Sequence, residues 1–204
     1  MKPFNTMSGI AAPLMRINID TDTIIPSREM KTVSKKGLAS GLFADWRYIS
    51  VESREENPDF ILNQFPYNQA KILLSGSNFG CGSSREHAVW AIYEWGIKVI
   101  IAPSFGSIFY NNCIKNGVLP INLDEEKIAS INHFVAIDPM KNKLYIDLNN
   151  RIINYDKETI EHFPIDEQDQ AFLINGLDQI DQTLNKISLI NDFEEVHREK
   201  NPWL

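Results

Sequence analysis

The sequence predicts a layered α/β domain with some parallel strand pairing, and two observations carry that expectation. Between residues 70 and 122, short apolar runs alternate with segments whose apolar residues recur every three or four positions. This is the rhythm of strands joined by helices. Helix-ending residues fall where the rhythm changes: Gly96 after the first periodic segment, Asn116 and Gly117 after the second. Length and composition agree. A chain of 204 residues can bury a sizeable core in one domain, and 43% hydrophobic with 23% charged residues is ordinary for a soluble globular protein.

The first third is the least regular. "MRINID" alternates as a strand would up to Asp20, and Pro26 then breaks the pattern. Ser27 to Gly41 is polar, basic and dotted with glycine, and is expected to be a long surface loop. The stretch from Ser53 to Gln69 is turn-rich, punctuated by Pro58 and Pro66. Ala70 to Ser75 then reads as a buried strand. Arg85 to Trp95 reads as a helix, with Ala88, Ala91, Ile92 and Trp95 on one stripe. "KVIIA" from Lys98 is a second strand, Ser107 to Lys115 a second helix, "VLPIN" a third strand, and "LDEEKIASIN" a short helix opening on Asp124. "KLYIDLNNRIINYD" predicts a hairpin over Asn149 and Asn150. Residues 166–184 are expected to be helical on both sides of a break at Gly176, and "SLINDFEEVHREKNPWL" to form a charged amphipathic helix with a short tail. The expectation is a single domain over 1–204, with residues from about 166 to 204 as its helical extension.

Charge narrows the function. Twenty basic against twenty-seven acidic residues, a net charge of −7, argue against nucleic acid as a partner. A small anion is still a suitable ligand, because a few local cations hold one. The two cysteines, Cys81 and Cys113, lie far apart and neither belongs to a CxxC. Reduced thiols in a cytoplasm are expected. Two thiols also fall short of the ligand set of an iron–sulfur cluster. The first residues lack the apolar core of a signal peptide, and no apolar run approaches the roughly 18 residues of a membrane span.

The chemistry concentrates in "GSNFGCGSSREHAVWAI", Gly76 to Ile92. The P-loop pattern fails for want of a lysine after the glycines, and the dinucleotide fingerprint fails because Arg85 stands where its third glycine belongs. Two readings are left. "SSRE" fits a capping box, with Ser83 as N-cap and Glu86 reaching back. Alternatively, the corner is a site: free N–H groups at a helix start favour an anion, glycines admit a ligand close to the main chain, and Arg85 offers a planar fork for a carboxylate. On this second reading the stretch is a carboxylate-binding corner.

"NFGCGSSREHA" at Asn78, with "IAPSFGSIFYNN" at Ile101, resembles the small subunits of 3-isopropylmalate dehydratase, which are homologous to the swivelling domain of aconitase. "NIDTDTIIP" at Asn18, "GLFADWRY" at Gly41, "NPDFILN" at Asn57 and "NGLDQIDQTL" at Asn175 resemble the same family, in family order and over nearly the whole chain. The resemblance implies a compact β/β/α swivelling domain, a layered sheet with flanking helices. It also implies a hydro-lyase that interconverts 2- and 3-isopropylmalate through isopropylmaleate, in leucine biosynthesis.

Residue by residue, the resemblance implies that Ser83 is the base removing the proton beside a carboxylate, and that Ser84 and Arg85 hold substrate carboxylate. Asp22 matches an aspartate that orients polar groups, Gly80 and Gly82 support the loop and its N–H donors, and His87 is expected to act through a neighbour. The [4Fe–4S] cluster is expected on a separate large subunit, with no metal or cofactor on this chain. That large iron–sulfur subunit and a small dicarboxylate are the expected partners, with neither nucleic acid nor membrane. Cys81 and Cys113 are expected to pack, and Trp46 and Arg47 to be structural. The loop after Pro26 departs from the family: "SKKG" places Lys35 and Lys36 where many members carry an arginine, and "SREMK" replaces an aromatic and leucine pair. Lys35 attracts a carboxylate without a bidentate fork. A related dehydratase for a methyl- or dimethyl-malate is therefore the alternative, with a non-catalytic anion-binding module as the reading from another class.

Overall fold

The computed structural model describes residues 1–30, 34–50, 52–156, 159–176, 179–184 and 186–203. The chain opens with β1 (Thr6–Gly9) and β2 (Ala11–Leu14), separated only by Ile10 and belonging to different sheets. An irregular stretch follows, holding α1 (Thr21–Ile24), α2 (Ala44–Arg47), β3 (Tyr48–Ser50) and β4 (Glu55–Glu56). The central unit is β5 (Ile72–Ser75), α3 (Glu86–Trp95), β6 (Val99–Ala102), α4 (Ser107–Asn116) and β7 (Leu119–Asn122). After it come α5 (Glu125–Ile137), β8 (Leu144–Asp147), β9 (Ile152–Asn154), β10 (Ile160–His162), α6 (Glu167–Asn175), α7 (Gln179–Leu184) and α8 (Ile187–Lys200).

One sheet runs β2-β5-β6-β7 with every pairing parallel. Parallel strands are covered on both faces, so they read as unbroken apolar runs; "ILLS" and "VIIA" are buried at every position. Alternation then sorts their side chains. Leu73 and Ile100 join a cluster with Ala88, Val89, Ala91 and Ile92 of α3. Ile72, Leu74, Val99 and Ile101 turn the other way, against Ile128, Ile131 and Val135 of α5, Ile146 of β8 and Leu173 of α6. The second sheet, β1-β8-β9-β10, is antiparallel and forms the outer layer on that side. The result is the expected layering of sheet, sheet and helices.

Several expectations are corrected. The strand read up to Asp20 lies earlier: β1 and β2 end at Leu14, and Asp20 makes only an isolated bridge to Cys81. Asp20 instead caps α1, its Oδ1 accepting from Thr23 N at 2.6 Å. The loop from Ser27 is exposed only in part, since Leu38 and Gly41 are buried. Its tail is held by Glu94, whose carboxylate accepts from the N–H of Gly37, Leu38 and Ala39 at 2.7, 2.6 and 2.8 Å. Lys31 of that loop and residues 177 and 178 of the last matching motif lie outside the described residues. The helix opening at Asp124 runs on to Ile137, longer than expected.

Other elements appear where they were read. The hairpin joins β8 to β9 with Ile146 opposite Ile153, and Asp147 closes its turn by accepting from Asn150 N at 3.0 Å. Gly176 ends α6 in the left-handed region. Arg47 is structural: buried, it donates to the carbonyls of Ala39 and Leu42 and lies over the Trp95 ring. Among the described residues no helix is long and apolar enough to cross a membrane.

Candidate active site

Three loops leave the C-terminal ends of β2, β5 and β6 and meet. The middle one, after β5, is held on both sides by main-chain bonds. Gly80 N donates to Ile19 O at 2.7 Å and Thr21 N to Cys81 O at 3.0 Å on one side. Phe79 N donates to Ser104 O at 3.0 Å and Gly106 N to Phe79 O at 2.9 Å on the other. Gly80 is required here. Its φ is +71°, and a Cβ on it would stand 2.1 Å from the Phe109 ring. Gly82 also has a left-handed φ of +89°, but a Cβ there would make only ordinary contacts, with Asp20 Cβ at 3.4 Å and Thr21 Oγ1 at 3.9 Å. Past Gly82 the residues Ser83 and Ser84 are exposed.

The capping box is not formed. α3 begins at Glu86 with Arg85 at its N-cap position and no side chain capping its first turn. Glu86 is engaged elsewhere, accepting from Asn116 Nδ2 at 2.8 Å and Trp90 Nε1 at 3.3 Å. The helix start therefore keeps N–H groups without a side-chain cap, which is the feature an anion site needs.

Ser83 meets Thr21, the first residue of α1. Thr21 Oγ1 donates to Ser83 O at 2.9 Å and lies 3.4 Å from Ser83 Oγ. A threonine hydroxyl has one proton. With that proton on the Ser83 carbonyl, the lone pairs of Thr21 face Ser83 Oγ, so Ser83 is the donor between the two hydroxyls. Arg85 and Asp22 form an ion pair through Nη1 and Oδ1, and Asp22 lies 3.5 Å from Ser27 Oγ. The Arg85 side chain is 22% exposed and the Asp22 side chain 55%. A guanidinium has five N–H donors, so Arg85 keeps donors for a second carboxylate while Asp22 orients it.

The structure thus brings Ser83, Arg85, Asp22, Gly80 and Gly82 together, with Ser84 between Ser83 and Arg85. Lys35 and His87 are turned along α3. Lys35 Nζ donates to Asn116 Oδ1 at 3.1 Å and lies 5.0 Å from the Trp90 ring centroid, and His87 packs on the same ring at 4.6 Å. Cys81 is half-buried in the turn, while Cys113 is buried in α4, where burial pushes its thiol pKa well up. Among the described residues no three His, Cys, Asp or Glu side chains gather as metal ligands. The residues of this chain do not fit an iron–sulfur cluster.

Comparison with known proteins decides the family. The aconitase C-terminal domain family matches residues 1–126. A 3-isopropylmalate dehydratase small subunit from Cupriavidus necator is 48% identical over 204 residues, all of this chain and 98% of that protein. One from Leptospira interrogans is 44% identical over the same length, again 98% of it. This chain belongs to the 3-isopropylmalate dehydratase small-subunit family. A crystal structure of 3-isopropylmalate dehydratase from Methanocaldococcus jannaschii superposes with a TM-score of 0.62 at 28% identity, covering 93% of this chain and 99% of that one.

Within this small-subunit fold, Asp20-Thr21-Asp22 reads in the sequence as a turn or cap, and the cap is formed, but the place of Thr21 beside Ser83 is what sequence reasoning missed. Thr21 stands between two aspartates and is almost wholly buried at 2% exposure. The available signal was a hydroxyl placed directly after an N-cap aspartate, at the first position of a helix. Phe109, whose ring fills the space a Cβ on Gly80 would need, was likewise visible only as an apolar helix residue.

Proposed function

We propose that this chain, as a 3-isopropylmalate dehydratase small subunit, removes the proton and holds a carboxylate in the dehydration and rehydration that interconvert 2- and 3-isopropylmalate. The observation that carries this is the convergence of Ser83, Arg85 and Asp22 at one end of the parallel sheet, beside an uncapped helix start. Ser83 takes the proton from the carbon next to a carboxylate and returns one on hydration. Arg85 and Ser84 hold that carboxylate, and Asp22 sets the guanidinium.

A serine is a weak base, so its anion needs support. A helix N-terminus stabilises an anion by about 0.3–2 kcal/mol, at most about 1.5 pKa units. That alone leaves an alcohol far from neutral pH. The rest falls to further N–H donors of the loop, to Arg85, and to exclusion of water once the corner is covered. Thr21 contributes when its proton turns from the Ser83 carbonyl to the Ser83 oxyanion, a rotation about one bond.

The departing hydroxide calls for a Lewis acid, which an iron–sulfur cluster on a separate large subunit would supply. The partner is accordingly that large subunit, the ligand a small hydroxy diacid, and the compartment the cytoplasm. Lys35 lies in the loop after Pro26, beside the segment that sets the size of the substrate's side chain. The test mixes the purified chain anaerobically with the large subunit and compares isopropylmalate with smaller malates, each subunit alone serving as control. Turnover of isopropylmalate only in the mixture is expected. A preference for a methyl-malate would keep the chemistry and reassign the substrate to the variant loop.

A further inference from the structure

A second cavity, of about 620 Å³, lies along α3 toward the loop at 34–37; Lys35, Lys36, Trp90, Tyr93, Lys115 and Asn116 are among its walls. At a rise of about 1.5 Å per residue, its nearest wall on α3, Trp90, stands about 7.5 Å along the helix from Arg85, and Ser83, Ser84, Arg85 and Asp22 are not among its walls. Lys35, Lys36 and Lys115 line it with the carboxylate of Glu94, whose oxygens are turned to the main-chain N–H groups of Gly37, Leu38 and Ala39, while Glu86 at the start of α3 is occupied by Trp90 and Asn116.

The positive charge continues past Tyr93. A neighbouring cavity of about 290 Å³ shares that residue and holds Lys2, Lys71 and Lys98. Lys98 Nζ lies 2.9 Å from the Tyr93 ring centroid and donates to Tyr93 O at 3.1 Å. Burial, and then the charge of Lys2, lower the Lys98 pKa to about 8. The C-terminal ends of α3 and α4 also lie here and each brings a partial charge of only about −0.5. The lysines outweigh them. On a chain of net charge −7, this is a concentrated basic face.

The remaining walls are the rings of Trp90 and Tyr93 with Met1 and Asn116. The indole N–H of Trp90 is satisfied by Asn116 Oδ1 at 2.9 Å; His87 packs on the ring and Lys35 Nζ lies over it at 5.0 Å, so a bound base would take the place Lys35 now holds. We propose that this cavity is a second ligand site taking an aromatic polyanion of the nucleoside-phosphate class, its phosphates among Lys35, Lys36 and Lys115 and its base against Trp90 and Tyr93. The volume falls within the range of about 300–1,000 Å³ typical of small-molecule sites. Inorganic phosphate would make no use of the aromatic walls, and an amino acid would bring its own ammonium among three others. The inference stands independently of the roles given to Ser83 and Arg85.

The test titrates the full-length chain, and then the chain assembled with the large subunit, with ADP, following heat release and tryptophan fluorescence. Pyrophosphate and adenosine serve as partial ligands. Saturable binding of one ADP per chain is expected, about tenfold or more tighter than either partial ligand. The double variant Lys36→Gln/Lys115→Gln, its fold checked by circular dichroism and thermal melting, is expected to weaken ADP binding about tenfold or more. Trp90→Leu is expected to bring ADP down to the affinity of pyrophosphate. The proposal is overturned by the absence of saturable ADP binding at millimolar concentration, by unchanged binding in the double variant, by pyrophosphate binding as tightly as ADP, by displacement of ADP by isopropylmalate, or by loss of the site in the assembled enzyme.

Discussion

The two ends of the parallel sheet are built from the same topology and carry opposite chemistry. At the C-terminal ends of β2, β5 and β6 lie the loops that meet at Ser83, and there α3 and α4 begin. At the other end Lys71 and Lys98 immediately precede β5 and β6, and α3 and α4 close in the left-handed residues Gly96 and Gly117. When a helix links two parallel strands, its N-terminus comes to the strands' C-terminal edge. The first end therefore offers main-chain N–H groups to an anion, and the second offers carbonyls that cations satisfy, as Lys98 does at Tyr93 O. An anion at the first end would be drawn by the backbone. At the other end it would be drawn only through lysine side chains that reverse the sign.

The sharpest break of this contrast is Ser83→Ala. If the proton is handled at the C-terminal edge, turnover of the assembled enzyme falls about 10²- to 10⁴-fold while complex formation with the large subunit is unchanged. Full activity in that variant would move the base elsewhere, and loss of the complex would give Ser83 a structural role.

A second comparison sets one glycine from each end side by side. Gly80 and Gly96 both have positive φ, at +71° and +115°, but a Cβ on Gly80 strikes the Phe109 ring whereas Gly96 has nothing within 4 Å. Alanine at Gly80 meets overpacking of about 1–3 kcal/mol on top of a left-handed strain of about 1–2 kcal/mol. Alanine at Gly96 meets the strain alone. Chemical denaturation should show the larger loss for Gly80→Ala, with reduced turnover only in that variant. Equal losses would mean that the loop after β5 is not packed against α4 as described.

The smallest effect belongs to Lys98 at the N-terminal edge. Its folded pKa of about 8 lies below the unfolded value of about 10.4, so the unfolded chain binds more protons between the two. The group's penalty is full below about pH 8 and is relieved as pH rises toward about 10.4. Lys98→Met should therefore melt at higher temperature than the parent at neutral pH, with the difference closing across that window. A difference constant in pH would assign the effect to packing.

The central β5-α3-β6-α4-β7 unit was legible because strands buried on both faces leave unbroken apolar runs, and helices packed on them leave a three-and-four repeat. The hairpin of β8 and β9 was legible for a related reason, two apolar runs across an Asn-Asn turn. The first two strands were not. "TMSG" and "AAPL" have little strand character, and they extend because β8 and β5 pair with them. Pro13 in β2 and Pro120 in β7 fit only because both strands are edges of their sheet. At the corner, the identities and order of Gly80, Ser83 and Arg85 were legible, but "SSRE" equally suited a cap. Glu86 turns instead to Trp90, one turn along its own helix, and to Asn116, thirty positions away, a partner that no local pattern encodes.

By itself, then, the sequence determined the layered α/β class, the helix ends at Gly96 and Gly117, and the residues of the Ser83 loop. These depend on periodicity, on backbone freedom and on side-chain chemistry, all properties of neighbouring residues. Tertiary structure alone decided that Thr21 meets Ser83 across 62 positions, that Asp22 pairs with Arg85 across 63, and that Phe109 forbids a side chain at Gly80. Those contacts exist because three parallel strands end at the same edge and bring their loops together, and proximity of that kind is written in the pairing of strands rather than in the order of residues.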